Sequence, residues 1–205
     1  GTGTTTGIVQ MVAETLGVST DAVDIVVGDT DITPEDMGVW GDRSLIFAGT
    51  AATMAAEVLK EKIVRLAAHL LNVPESSVEL SNGSIFEHGC PENGFTVEEF
   101  ANIATYGDQN NRPEDLKSGV SLIGEARFET QEGEFMDENG TGSVSHVYTF
   151  SSAAVIVEVD LSTGEIDIVD MAIAEDAGTI INPKLAAGQV QGAVTQALGE
   201  VLLEE

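Results

Sequence analysis

The sequence predicts an α+β fold, on three observations. Two strand-rich stretches are each followed by a helix, the connections between strands read as hairpins, and the strand-helix alternation of a doubly wound parallel sheet is missing. With 205 residues, 42% of them hydrophobic, the chain can bury a sizeable core as one large or two small domains. No internal repeat is visible.

A glycine and threonine run, Gly1-Thr2-Gly3-Thr4-Thr5-Thr6, feeds a first helix whose apolar stripe is Ile8, Met11, Val12 and Leu16, with Gly17 as its stop. Residues 23–27 alternate like a strand, and residues 28–41 form an irregular acidic loop carrying Trp40. From 48 to 71 the spacing of Ala52, Ala55, Ala56, Leu59, Ile63, Leu66, Ala67 and Leu70 describes a long amphipathic helix with many small contacts. Residues 78–80, the turn Asn82-Gly83 and residues 85–86 read as a hairpin. A short helix follows, capped by Thr96 with Glu98 and Glu99 in its first turn.

Residues 107–119 and 131–145 are polar or acidic and glycine-containing, with a strand expected at 121–129 between them. Residues 153–160 and 165–171 flank the turn Ser162-Thr163-Gly164 as a second hairpin. Residues 169–174 read as a buried strand, residues 178–183 as a turn, and Lys184 onward as a helix pre-organised by Pro183.

Composition excludes several functions. Eight basic residues against 35 acidic ones give a formal charge of -27, which repels nucleic acid and anionic lipid. The ordinary source of such acidity is a solvated surface suited to saline surroundings. No apolar run approaches the roughly 20 residues that span a bilayer, and no charged-then-apolar leader opens the chain, so a soluble, cytoplasmic protein is expected. The lone cysteine, Cys90, excludes an internal disulfide and an iron-sulfur cluster, which takes four thiolates. His69, His88 and His146 stand far apart, without metal-ligand spacing.

Three segments carry candidate chemistry. At the first helix start, around Thr2, Gly3 and Thr4, free amides and the helix dipole favour a phosphate-like group. The loop Gly38-Val39-Trp40-Gly41-Asp42-Arg43-Ser44 ends in one of the few arginines, which holds either an anionic ligand in bidentate fashion or a nearby acid. On the last helix Gln189, Gly192, Gln196 and Gly199 recur at three- and four-residue steps and share a face. That face suits a neutral, polar, flat ligand, or a packed helix seam.

Taken in order, Gly1-Thr2-Gly3, Gly28-Asp29-Thr30, Gly41-Asp42-Arg43-Ser44, Asn182-Pro183 and Gly188-Gln189-Val190-Gln191-Gly192 resemble the molybdopterin-binding subunit of the xanthine dehydrogenase family, the molybdenum hydroxylases. The resemblance covers nearly the whole chain. It implies a fold of the molybdenum-cofactor-binding type, with mixed sheets and packed helices. Residues 1–205 are then part of a molybdopterin-binding region, sub-divided at 1–150 and 151–205, with the second part opening another αβ unit.

The resemblance also implies that Thr2, Gly3, Thr4, Gly41, Asp42, Arg43, Ser44 and Gln189 hold the cofactor. Thr2 stands where the family usually has glutamine, and Gln191 where it usually has glutamate. The family's catalytic glutamate, in a downstream Gly-Glu-Pro segment, is not among these residues, so a partial segment without a catalytic or metal-ligating residue is expected. The implied reaction is hydroxylation of an aldehyde or N-heterocyclic carbon with oxygen from water. The implied cofactor is molybdenum with molybdopterin, as a cytosine dinucleotide. Electrons would leave through 2Fe-2S clusters to FAD on partner subunits, and some relatives, such as nicotinate dehydrogenase, divide the molybdopterin region itself between two polypeptides.

Two other functions compete. Asp29-Thr30-Asp31-Ile32-Thr33 after residues 23–27 fits the Asp-x-Asp-x-Thr loop of haloacid-dehalogenase-like phosphatases, with Asp29 as nucleophile. The other is a non-catalytic assembly module of the same fold. Pro34 disqualifies the acidic loop as an EF-hand, and Gly-Asp-Arg-Ser-Leu is not a nucleophile elbow.

Overall fold

A computed structural model describes residues 1–36, 38, 41–129, 136–142, 145 and 148–204. Trp40 and His146 lie outside the described residues, as does much of the acidic stretch at 131–145. The chain forms two compact units, Gly1–Glu129 and Thr130–Glu205.

In the first unit, helix α1 (Thr4–Leu16) lies between two glycines in the left-handed conformation, Gly3 before it and Gly17 after it. Gly17 has a second reason to lack a side chain, because a Cβ there would stand 2.2 Å from the Leu80 carbonyl oxygen. A π turn (Leu45–Gly49) leads without a break into helix α2 (Thr50–Leu71), so the helical segment starts earlier than the alanine spacing predicts. The expected hairpin is present as strands β1 (Val78–Ser81) and β2 (Ser84–Glu87), joined by Asn82 and Gly83, both at positive φ as a two-residue hairpin requires. The Gly83 amide donates to the Gly17 carbonyl at 2.9 Å, which ties this hairpin to the end of α1.

Strand β3 (Cys90–Thr96) completes an antiparallel sheet of order β1-β2-β3. Helix α3 (Val97–Tyr106) follows, and its start is the expected cap in full: Thr96 Oγ accepts from the Glu99 amide while Glu99 accepts from the Thr96 amide. Leu66 and Ala67 of α2, Ile85 of β2, and Phe100 and Ala104 of α3 form the buried core, with Leu70, Val78, Leu80 and Phe95 packed round it. Full burial of a side chain such as Leu66 or Phe100 stabilises by about 1.5–3 kcal/mol. Arg112 is buried as well, and its guanidinium donates to the carbonyls of Ala104 and Gly107 at the end of α3.

Two expected strands of this unit have no ladder among the described residues. Residues 121–129 instead run along α2: a Cβ on Gly124 would meet the Ala55 carbonyl oxygen at 1.9 Å, and Lys62 Nζ donates to the Ile123 carbonyl at 2.7 Å. Residues 23–27 have the composition of a strand but no neighbouring strand to pair with.

The second unit contains an antiparallel ribbon of strands β4 (Phe150–Val159) and β5 (Ile166–Asp176), followed by helix α4 (Pro183–Leu202). Register puts Ala153 opposite Ile173, Val155 opposite Met171 and Val159 opposite Ile166, so one ribbon face is apolar. The other carries Ile156 opposite Asp170 and Glu158 opposite Asp167. A bulge between Ile156 and Val157 leaves Val169 unpaired. Residues 169–174, expected as a buried strand, do lie within β5 but are not buried, because a two-stranded ribbon lacks a second layer of its own. Asn182 caps α4 through the Leu185 amide, with Pro183 as first residue as expected. Half-buried Val190, Val194 and Leu198 form one stripe along this helix.

Candidate functional site

The site builds from the way α1 and the π turn pack. Gly7 leaves room for Leu45, whose Cδ2 would lie 2.7 Å from a Cβ there, and Gly49 leaves room for Met11, whose sulfur would lie at 2.9 Å. Pairing 7 with 45 and 11 with 49 makes the two helical segments run the same way. Their starts, at Gly3-Thr4 and at Ser44, therefore lie at the same end of the unit. Two of the three segments singled out from the sequence meet there.

Gly3 takes φ 71° and caps α1 without any side-chain acceptor, which leaves the first-turn amides of α1 available to a ligand. The Thr2 and Thr4 hydroxyls are 2.9 Å apart and share one proton donation. Ahead of the π turn, Gly41 and Asp42 are successive left-handed residues, at φ 59° and 56°. For Asp42 this conformation costs about 1–2 kcal/mol. Its carboxylate is exposed, so a contribution to anion binding runs through the backbone of the turn rather than through the side chain.

Ser44 Oγ is buried with no hydrogen-bond partner among the described residues, and it makes no cap bond to its own helix. A buried hydroxyl left unpaired costs roughly 1–3 kcal/mol. Thr53 Oγ1, on the same helical segment, is the second such atom. Arg43 does not take the nearby-acid alternative: its guanidinium lies over the Phe47 ring, 4.7 Å from the centroid, and no carboxylate pairs with it among the described residues. Phe47 is held edge-on by Phe128 at 5.7 Å. Stacking occupies one face of the guanidinium and leaves its in-plane donors for a ligand.

Gln189 belongs to the second unit and is placed on the exposed side of α4, with Gly192 and Gln196 and away from the half-buried stripe. A Cβ on Gly188 or Gly192 would meet no heavy atom within 4 Å, so the helix-seam alternative has no partner among the described residues. Sequence reasoning missed the π turn and the aromatic seat of Arg43. An aromatic four residues after an arginine in a helical pattern is the signal that points to such a seat.

The phosphatase alternative fails on geometry. Asp29 Oδ1 accepts from the Asp31 amide and the Asp29 carbonyl accepts from Thr33 Oγ1, which folds the acidic loop onto itself. Both sheets are antiparallel, whereas that chemistry needs a parallel one. His88 is taken by Glu79 at 2.7 Å, and among the described residues no group of three or more His, Cys, Asp or Glu could hold a metal. No helix of the described residues is long and apolar enough to cross a membrane.

Two helix starts side by side, glycine turns at both, a buried unpaired hydroxyl and a cation with unused donors fit an anionic organic cofactor held largely by backbone. The class is thus that of a cofactor-binding α+β domain. Residues 1–205 match the family described as the molybdopterin cofactor-binding domain, and the chain belongs to that family. It is 30% identical to the carbon monoxide dehydrogenase large chain of Afipia carboxidovorans over 205 residues, all of this chain and 23% of that one. It is 31% identical to the 6-hydroxypseudooxynicotine dehydrogenase complex subunit gamma of Paenarthrobacter nicotinovorans, of which it covers 24%. Among solved structures, quinoline 2-oxidoreductase from Pseudomonas putida 86 superposes with a TM-score of 0.78 at 28% identity, over all of this chain and 24% of that one. The chain spans about a quarter of the length of these relatives.

Proposed function

We propose that this chain is the molybdopterin-holding part of a molybdenum hydroxylase, a cytoplasmic oxidoreductase that adds water-derived oxygen to an aldehyde or N-heterocyclic carbon. The observation that carries the reading is the unpaired, buried Ser44 hydroxyl at the joint start of two helices. When bound, the cofactor supplies the two-electron redox chemistry. The protein's part is to bind and orient it. Amides of the Gly3-Thr4 turn and of the Gly41-Asp42 turn receive its anionic groups, Arg43 donates from its seat on Phe47, Ser44 supplies a hydroxyl, and the Thr2-Thr4 hydroxyl pair stands in for an amide contact. Gln189 offers a donor and an acceptor from α4.

The phosphate-binding character of two helix starts favours a nucleotide-bearing pterin, for which the cytosine dinucleotide is the form proposed. The catalytic glutamate is proposed to lie outside these 205 residues, as are the 2Fe-2S clusters and FAD, since Cys90 alone cannot hold a cluster. Names such as "large chain" and "complex subunit gamma" among the relatives support a multi-subunit assembly.

Replacing Arg43, Ser44 or Gln189 by alanine tests these assignments. Loss of one hydrogen bond to a charged group is worth about 1.5–3 kcal/mol, so cofactor retention should fall by roughly tenfold to a hundredfold. Molybdenum per complex is the readout, with an unchanged circular dichroism spectrum as the check on folding. Equal molybdenum in variant and parent overturns the residue concerned. A parent assembly free of molybdenum after anaerobic preparation favours the non-catalytic assembly module instead.

A further inference from the structure

Residues 121–129 join no ladder among the described residues, yet they keep a strand's alternation of burial. Leu122, Gly124, Ala126 and Phe128 are half-buried, whereas the residues between them are exposed. Extended backbone puts such alternate residues on one face. That face runs from the core to the end of the unit where α1 and the π turn start: Leu122 packs on the core, Gly124 lies against Ala55 of α2, and Phe128 meets Phe47 of the π turn. From 124 to 128 the extended chain covers about 13 Å, and from 55 back to 47 the helical segment covers about 12 Å. The two segments therefore run antiparallel and in step, with no slack between Gly124 and Phe128.

Arg43 is the side chain that depends on this bridge. It stands one helical turn before Phe47, whose amide donates to the Arg43 carbonyl at 3.1 Å, and its guanidinium lies 4.7 Å from the Phe47 ring centroid. A guanidinium stacked on a ring turns with that ring. Phe47 is only half-buried, and what it meets is the Phe128 ring, at 5.7 Å between centroids with the planes 74° apart, an arrangement aromatic pairs favour. Charge pulls the other way. The chain has 35 acidic residues against eight basic ones, and Arg65, Lys117 and Arg127 each hold a carboxylate, Arg127 taking Glu129 beside Phe128 itself. An arginine kept off carboxylates in such surroundings needs a seat that does not rotate.

We infer that Phe128 is a positioning residue for Arg43: it fixes the Phe47 ring, so that the guanidinium stays off the surrounding carboxylates and presents its in-plane donors to the anionic part of the cofactor. Phe128 acts through Phe47 and not by contact with the ligand. The nature of that ligand rests on the function proposed above, whereas the hold on Arg43 does not.

Two measurements on the intact purified assembly test the inference. The first is independent of the ligand: structures of the assembly purified from molybdenum-starved cells, as parent and as Phe128→Leu, which keeps apolar bulk but has no ring. Arg43 should lie over Phe47 in the parent and should have left it for a carboxylate in the variant, with Arg112 still bonded to the Ala104 carbonyl as the sign of an intact fold. An Arg43 that stays on Phe47 in the variant overturns the inference. Phe128→Met serves as a second ringless variant with the same expectation.

The second measurement is molybdenum retained per complex in assembly from molybdenum-replete cells. Phe128→Leu should lower it by about threefold to tenfold, the worth of one aromatic pair. In an Arg43→Ala background the same substitution should lower it no further, because nothing is left to position. Retention equal to the parent overturns the inference, and so does a loss that adds in full to that of Arg43→Ala, since Phe128 would then act by general packing. A parent assembly without molybdenum defeats the proposed function, and the place of Arg43 in Phe128→Leu then decides the inference by itself.

Discussion

The two units answer the same problem, where to put apolar surface, in opposite ways. The first closes Leu66, Ile85, Phe100 and Ala104 into a core of its own, whereas the second has no fully buried residue among those described. Its ribbon still alternates correctly, with Val155, Val159, Met171 and Ile173 on one face. Pattern and burial therefore separate: the sequence of β4 and β5 specifies a face, and a face without a layer against it contributes little stability. The first unit is the part able to hold its own geometry, and it is the part that carries both helix starts of the site.

The largest test of that contrast is a matched pair of truncations. Phe100→Ala should cost about 3–5 kcal/mol and lower the denaturation midpoint of the first unit. Val155→Ala, on the exposed ribbon face, should cost well under about 1 kcal/mol in the chain alone. Urea unfolding followed with a probe in each unit measures both, and equal losses would erase the distinction.

A middle-sized effect sharpens the account of the first unit. Gly124→Ala should destabilise by about 1–3 kcal/mol, because the new methyl must displace the Ala55 carbonyl of α2 rather than a movable side chain. A thermal melt unchanged by this substitution would show that residues 121–129 do not press on α2.

The smallest expected effect is one of pH. Backbone and hydroxyl hydrogen bonds from Thr96 hold the Glu99 carboxyl below its ordinary value, as the cap needs. A carboxylate whose folded value is depressed stabilises the fold above the ordinary carboxylate range, and that contribution fades as the pH falls below about 4.3 through the folded value. The Thr96 amide should then lose its partner first, visible as an amide chemical-shift titration. In Glu99→Gln the titration should vanish while α3 remains helical.

Much of this architecture was legible because its signals are local. The 3.6-residue spacing located α1 and α2, Asn82-Gly83 located the first hairpin, and Thr96 with Glu99 located the start of α3. Strand β3 escaped because Pro91 and Gly94 argue against a strand. It is tolerated as an edge, where a missing donor costs no ladder bond, and Gly94 is needed where a Cβ would press on Phe86. The strands expected at 23–27 and 121–129 have strand-like composition, yet composition cannot name a pairing partner. At the site, the glycine turns and Arg43 could be read from residue type. The unpaired Ser44 hydroxyl could not, since burial is a property of packing.

The π turn at Leu45–Gly49 has one more lesson. Such a turn accommodates one residue more than the α-helical turn it replaces. Deleting Ala48 would let the segment rewind as an ordinary α-helical turn, with the residues upstream and the packing of α2 downstream both kept close to their present orientation. The π turn is thus the form in which the helix holds one surplus residue without re-aiming the Gly41-Ser44 loop, and loss of a single codon there would leave the loop's direction nearly as it is.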